Sequence, residues 1–176
     1  MDVKEFPGWI EDQRVKCLNI ICEASSLHVC MPFHENEGET SRVLLQKYRD
    51  GWTRPYMRPK WLKVDPHRAH ISEEFISGIE RDDTLIVDTA GLAKEQNGKV
   101  ERHGQLFEDR LLAVLAEVQP QCEGEWLECV AQVQEAKNSL LSVGGVSPHQ
   151  IVFGKNRTFQ VILHKMIQVS WATVLS

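Results

Sequence analysis

The first 33 residues narrow the fold more than any other feature of the chain. Val3–Phe6, Val15–Ile21 and Leu27–Phe33 are short runs rich in apolar and β-branched residues. Pro7-Gly8 and the polar Glu11–Arg14 stretch lie between the first two, and Glu23-Ala24-Ser25-Ser26 lies between the second and third. Connections this short join antiparallel neighbours, because a parallel pair needs a crossover of about a dozen residues or more. The chain therefore opens as an antiparallel meander, and the remaining elements have to be built onto it.

Beyond residue 33 the chain alternates between strand and helix patterns. Thr40 or Ser41 is placed to cap a helix through Val43, Leu44 and Tyr48 that ends at Gly51, ahead of a proline-bearing loop. Trp61–Val64 is a fourth strand closed by Asp65-Pro66, since proline cannot continue a central ladder. Ser72 caps a helix containing Phe75, Ile76 and Ile79, and Thr84–Val87 is a fifth strand. A small-residue loop and a Gln96-Asn97-Gly98 turn then lead to a helix with Phe107, Leu111, Val114, Leu115 and Val118 on one face. Pro120 and Gly124 separate it from a last long helix carrying Trp126, Val130, Val133, Leu140 and Leu141, which stops before Gly144-Gly145. The order predicts a mixed α/β sheet with helices on both faces. Thr158–Ser176 is apolar but carries no assignable motif.

Composition removes several classes of function. With 176 residues, 42% hydrophobic and 26% charged, the chain is sized for one domain with a sizeable core. No apolar run approaches the roughly 20 residues that span a bilayer, and MDVKEFPGW lacks the regions of a signal peptide, so a soluble intracellular protein with no membrane partner is expected. Five cysteines, odd in number and mostly within apolar segments, read as reduced core thiols. His67 and His70 have no Cys-x-x-Cys partner for zinc and read as a surface loop. A net charge of −5 argues against holding nucleic acid by bulk charge. Local charge is different. Arg54, Arg58, Lys60 and Lys63 interleave with Tyr56 and Trp61 in TRPYMRPKWLK, and Lys94, Lys99, Arg102 and His103 surround Glu101. Each cluster is equally well read as a solvated face.

Three acids stand at informative places: Asp2 opens the first strand, Asp65 closes the fourth, and Glu101 falls in the first turn of a later helix. A first-turn acid also favours the positive end of a helix dipole, which is the simpler reading of Glu101. Three converging carboxylates suit phosphodiester chemistry, because they can hold two divalent metals about 3.5–4 Å apart, one activating the attacking oxygen and one stabilising the leaving oxygen. Among 25 acidic residues a triple alone carries little weight, but its spacing carries more: thirty-five residues, 66–100, separate Asp65 from Glu101.

Asp, Asp, thirty-five residues and then Glu is the signature of the catalytic core of retroviral and long-terminal-repeat retrotransposon integrases, which this chain resembles. MDVKEFPGW is similar to the family's first strand, CLNIICEASSLHVCMPF to its second and third, and WLKVDPHRAHISEEF to the strand and loop bearing the second Asp. AKEQNGKVER is similar to the segment bearing the Glu, and GGVSPHQIVFGKNR to the segment that closes many retrotransposon cores. The chain departs from the family at Pro66-His67, where Asn-Gly is common, and at Cys22, where Asp is frequent.

The resemblance implies an RNase H-like fold, a five-stranded mixed sheet with helices on both faces, over residues 1–157, followed by a tail, 158–176, of no assigned role. It implies two Mg²⁺ or Mn²⁺ ions held by Asp2, Asp65 and Glu101, with Lys94, Lys99 and Arg102 touching DNA. The implied reaction is trimming of an element's DNA end by water, then attack of the exposed 3′ hydroxyl on target DNA, by a homo-oligomer in the nucleus. The chain looks like a core cut from a polyprotein or a degraded element, its first strand short at the start. Two other readings stand beside this one: a relic core without catalysis, kept for dimerisation or for binding protein or nucleic acid, and an RNase H-type nuclease.

Overall fold

Three strands, β1 (Asp2–Pro7), β2 (Arg14–Ile21) and β3 (His28–Pro32), form the expected meander in the computed structural model. The structure describes residues 1–34, 36–64, 72–88, 94–140 and 144–155, with backbone alone for Asp88 and 94–97. Asp2 lies opposite Asn19 and Pro7 opposite Arg14, while Cys17 pairs with Pro32 and Ile21 with His28. Strands β4 (Trp61–Val64) and β5 (Leu85–Asp88) pair in parallel, Trp61 beside Leu85 and Val64 beside Asp88.

Among the described residues the ladder forms a three-stranded and a two-stranded sheet where one of five strands is expected. The Met1 amino group donates to Lys63 O at 2.8 Å, which sets the start of β1 beside β4. Packing is continuous where the ladder is not. Val3, Leu18, Ile20 and Val29 from the meander share one buried cluster with Leu62 and Val64 from β4.

Alternation along β2 explains the two faces. Leu18 and Ile20 enter the cluster shared with Leu44, Tyr48, Phe75 and Ile79, whereas Val15 and Cys17 enter a second one with Phe107, Leu111, Val114, Trp126, Val130 and Val133. A strand covered on both sides is buried at successive positions, as Cys17–Ile20 are, whereas Arg14 and Lys16 at its start remain exposed. The first face is covered by α1 (Ser41–Tyr48) and α3 (Glu73–Glu80), the second by α4 (Lys94–Val118) and α5 (Glu123–Leu140).

Thr40 and Ser72 cap as expected, their side chains accepting from Val43 N at 3.3 Å and Phe75 N at 3.2 Å. Gly51 does not end the first helix. The helical path continues through a π-helical turn, Arg49–Thr53, into α2 (Arg54–Tyr56). At Gly51 a Cβ would stand 2.6 Å from Met31 Cγ, so this glycine lets the helix backbone approach β3 rather than stopping it. Gln96-Asn97-Gly98, expected as a turn, lies inside α4, because a 25-residue helix with Phe107, Leu111 and Val114 on its buried face outweighs the roughly 1 kcal/mol cost of one glycine. The last helix is α6 (Pro148–Phe153), opened by a capping box between Ser147 and Gln150.

Strand β3 is an edge strand, and α5 closes its edge with side chains. Asn138 Oδ1 accepts from His28 N at 2.9 Å, Asn138 Nδ2 donates to His28 O at 2.7 Å, and Gln134 Oε1 accepts from Cys30 N at 2.7 Å. These amides take the place of a further strand. Asn138→Ala would leave a buried N–H and C=O without partners and is expected to lower unfolding free energy by about 2–4 kcal/mol in urea titration, where a loss under about 1 kcal/mol would show the clamp to be dispensable. Gly98→Ala should do the opposite, raising stability by about 0.5–1 kcal/mol, because a Cβ at Gly98 meets no described atom within 4 Å and the position is helical.

Candidate functional site

Asp2 is the first paired residue of β1, and the Met1 to Lys63 hydrogen bond sets it beside Val64, the residue before Asp65. Helix α4 brings Val100 and Glu101 to the same place. Asp2, Val64, Val87, Val100 and Glu101 all line one cavity of about 650 Å³, whose remaining wall includes Ile20 to Ala24, Trp52 and the Pro59–Lys63 stretch. Asp65 itself lies outside the described residues, as do Pro66, His67 and His70. Two of the three sequence-picked acids therefore share a cavity, and the strand that leads to the third forms part of its wall. Among the described residues, no group of three or more His, Cys, Asp or Glu is placed to hold a metal.

Glu101 is exposed and lies seven residues beyond the start of α4, not in its first turn as expected. Asp2 is half-buried. Carboxylate oxygens suit hard divalent cations such as Mg²⁺, so the donor chemistry of Asp2 and Glu101 fits the metal that the sequence resemblance implies.

The basic residues around Glu101 take different positions. Lys99 Nζ donates to Glu23 O, and Glu23 lines the cavity, so the ammonium stands at its rim. Arg102 is exposed, its Nε donating back to Gly98 O at 3.0 Å. Lys94 begins α4, and its side chain lies outside the described residues. The basic and aromatic stretch before β4 divides as well. Arg54 pairs with Asp50, Arg58 stands 3.9 Å from Asp83, and Tyr56 rests against Trp52 and Phe153 with ring centroids 5.3 and 6.0 Å away. Lys60, Trp61 and Lys63 instead line the cavity.

One pair carries no mark in the sequence motifs. Lys137 Nζ on α5 lies 2.8 Å from His103 Nδ1 on α4, two residues past Glu101. Burial pushes Lys137 down to about 7, and burial, then the Lys137 charge, pushes His103 down to about 4. His28, fully buried beside them, is also held neutral by burial, its Nε2 hydrogen-bonded to Asn19 Oδ1 at 2.9 Å. A signal for Lys137 does exist in the helical period: it follows Val130 and Val133 by seven and four residues, on the face that α5 buries.

No protein-family model matches the chain, and no curated protein matches it. Solved structures do. The magnesium complex of the HTLV-2 integrase catalytic core domain, in its dimeric form, aligns with a TM-score of 0.68 at 15% identity over 85% of this chain and 91% of that one. The catalytic core domain of BIV integrase aligns at 0.67, with 14% identity over 87% and 92%. A chain of the simian T-cell lymphotropic virus intasome, solved with the PP2A regulatory subunit B56 gamma, aligns at 0.72, with 13% identity over 91% of this chain and 55% of that chain. At such identities the likeness is one of fold, and the fold is RNase H-like α/β.

Lys137 makes the site region testable without any assay of function. Its folded pKa of about 7 lies below the roughly 10.4 of an unfolded lysine, so between these values the unfolded chain binds the extra proton and stability rises with pH. Lys137→Met, which keeps the stem and removes the charge, is expected to flatten the rise in thermal midpoint between about pH 7 and pH 10. Parallel profiles for parent and variant would show that Lys137 is not depressed.

Proposed function

We propose that this chain, which has the fold of retroviral integrase catalytic cores, is an integrase-type polynucleotidyl transferase acting on DNA ends. The observation that carries the reading is the shared cavity of Asp2 and Glu101, with β4 delivering Val64 to the same place one residue before Asp65. Asp2, Asp65 and Glu101 would hold two Mg²⁺ or Mn²⁺ ions. When bound, such ions supply an activated attacking oxygen and a stabilised leaving oxygen. Lys94, Lys99 and Arg102 hold phosphates of the DNA end, Lys99 from the cavity rim. The two reactions are trimming of an end by water and transfer of the new 3′ hydroxyl to a second DNA.

Solved neighbours support partners of the same kind, since the HTLV-2 core is described in dimeric and trimeric forms with magnesium, and a further neighbour is part of an intasome. A homo-oligomer working on DNA in the nucleus is the corresponding proposal here. The competing reading, a non-catalytic module for dimerisation, is favoured by the exposed apolar residues Val146, Ile151, Val152 and Phe153 on and before α6.

Glu101→Gln separates them. Glu101 is exposed, so the variant should keep its unfolding free energy within about 0.5 kcal/mol. Strand transfer of a labelled DNA end with Mg²⁺ or Mn²⁺, measured alongside cleavage of an RNA–DNA hybrid, should fall to background, because a neutral amide is a poor ligand for these cations. Full transfer by the variant would remove Glu101 from the site. Cleavage of the hybrid without transfer would favour an RNase H-type nuclease, and a parent inert in both assays would favour the dimerisation module.

A further inference from the structure

We propose that Trp61, with Lys60, forms a subsite at the end of the cavity away from the acids, where an unpaired base of a DNA strand stacks, its phosphates being held by Lys60 and, on the way to the acids, by Lys63. The inference rests on the reading of the cavity as a DNA site and adds to it a class of DNA end, one with unpaired nucleotides.

The alternation of β4 makes the subsite. Leu62 and Val64 enter the buried core, which turns Trp61 and Lys63 to the opposite face. Trp61 remains 54% exposed, and its parallel neighbour Leu85 is 50% exposed. The indole is therefore not used to hold the fold together. Lys60 Nζ stands 5.7 Å from its ring centroid, within cation–π range, and among the described residues neither Lys60 nor Lys63 is ion-paired to a carboxylate.

Charge is distributed along the cavity in the same direction. Asp2, Glu23 and Glu101 gather where β4 ends at Val64, and Lys60 with Trp61 stands where β4 begins. At about 3.3 Å per residue, Trp61 lies roughly 10 Å along the strand from Val64. A strand of nucleic acid that laid its phosphates along Lys60 and Lys63 would run toward the acidic end. A positive groove combined with an aromatic face is how proteins hold unpaired nucleic acid, because every base offers a stacking face once it is freed from its duplex neighbours. A fully paired end offers far less to Trp61.

The test measures binding of the full chain to two labelled duplexes of equal length, one blunt and one with a short 3′ single-stranded extension, by fluorescence anisotropy over a salt series. Trp61→Ala should weaken binding of the extended duplex roughly ten-fold, leave the blunt duplex within about two-fold, and leave the salt slope unchanged, since stacking releases no counterions. Trp61→Phe should recover most of the loss. Joint replacement of Lys60 and Lys63 by Ala should weaken both duplexes and reduce the salt slope by about 2. The exposed position of Trp61 means that Trp61→Ala should keep the parent's thermal midpoint, which excludes misfolding as the cause.

Equal effects of Trp61→Ala on both duplexes, or no effect on either, would overturn the subsite and leave the DNA reading standing. Absence of binding to both duplexes by the parent would overturn the DNA reading and the subsite with it. Selective, Trp61-dependent binding of the extended duplex would support the subsite even if strand transfer were absent. Loss of self-association in Trp61→Ala without any change in DNA binding would assign the surface to a second copy of the chain and overturn the proposal.

Discussion

The edge of β3 is the constraint on which the placement of the site depends. An unpaired strand edge needs hydrogen-bond partners or water, and here α5 supplies them with Asn138 and Gln134, four residues apart on one helix face. Amides fixed to backbone groups leave α5 little freedom to slide or rotate. Its Lys137 then meets His103, and Trp126 reaches across to donate to Pro7 O at 2.9 Å. Helix α4 is held from the other side as well, where Glu108 accepts from Lys4 at 2.9 Å and Arg14 at 3.0 Å. Burial alone would raise Glu108, but the hydrogen bonds and charges of Lys4 and Arg14 together hold it below the usual carboxylate range. Thus β3 fixes α5, while α5 holds α4 two residues past Glu101 and the β1–β2 hairpin holds it seven residues past.

A buried lysine beside a histidine is an expensive way to join two helices, and the protein lowers the cost by keeping both groups largely neutral. With Lys137 near 7 and His103 near 4, the contact is a hydrogen bond between a mostly uncharged pair at alkaline pH and a single charge below neutrality. Two full positive charges at 2.8 Å would repel strongly in so poorly hydrated a place. His28 and Asn19 extend the same strategy inward, a neutral polar pair set against the ring of Phe107 at 5.1 Å. The second core therefore carries polar groups without stable charges, and it is this core that backs the helix presenting Glu101.

Much of the fold was legible because β2 is buried on two faces and α4 on one, and each leaves its own period in the sequence. The caps Thr40 and Ser72 were legible from local chemistry, since a hydroxyl before an apolar helical run has one economical use. Gly51 and Asn97-Gly98 were misread for a shared reason. Each carries a local signal for a turn, and at each a helix made stable elsewhere overrides it, at Gly51 because the missing side chain admits Met31. Lys137 was missed because a lysine in a helix is normally solvated, and only its position on the buried period gives it away. The split into sheets of three and two strands among the described residues was not legible, since strand patterns carry no record of which strands complete a ladder. For the site, sequence spacing joined Asp65 to Glu101 and the start of the first strand singled out Asp2; Asp2 and Glu101 share a cavity, while Asp65 falls outside the described residues.

The position of Glu101 in α4 removes the helix-dipole reason for an acid there. A glutamate in the first turn would have a sufficient explanation in the helix dipole, which favours an acid there by about 0.3–1 kcal/mol and falls off within that turn. Glu101 lies seven residues in, after nearly two full turns, where the first-turn N–H groups are already behind it. The dipole therefore gives no reason for an acid at this position. Nor does an ion pair, since the lysines and arginines nearest this face of α4 that are paired among the described residues, Lys4 and Arg14, hold Glu108 instead. The surroundings of Glu101 supply the reason: a cavity shared with the half-buried Asp2, in the fold of integrase catalytic cores, and reached by the strand that ends one residue before Asp65. The helix that carries this exposed carboxylate is backed by the second core, and the cation-binding role proposed for Glu101 is the reading that the Glu101→Gln assay tests.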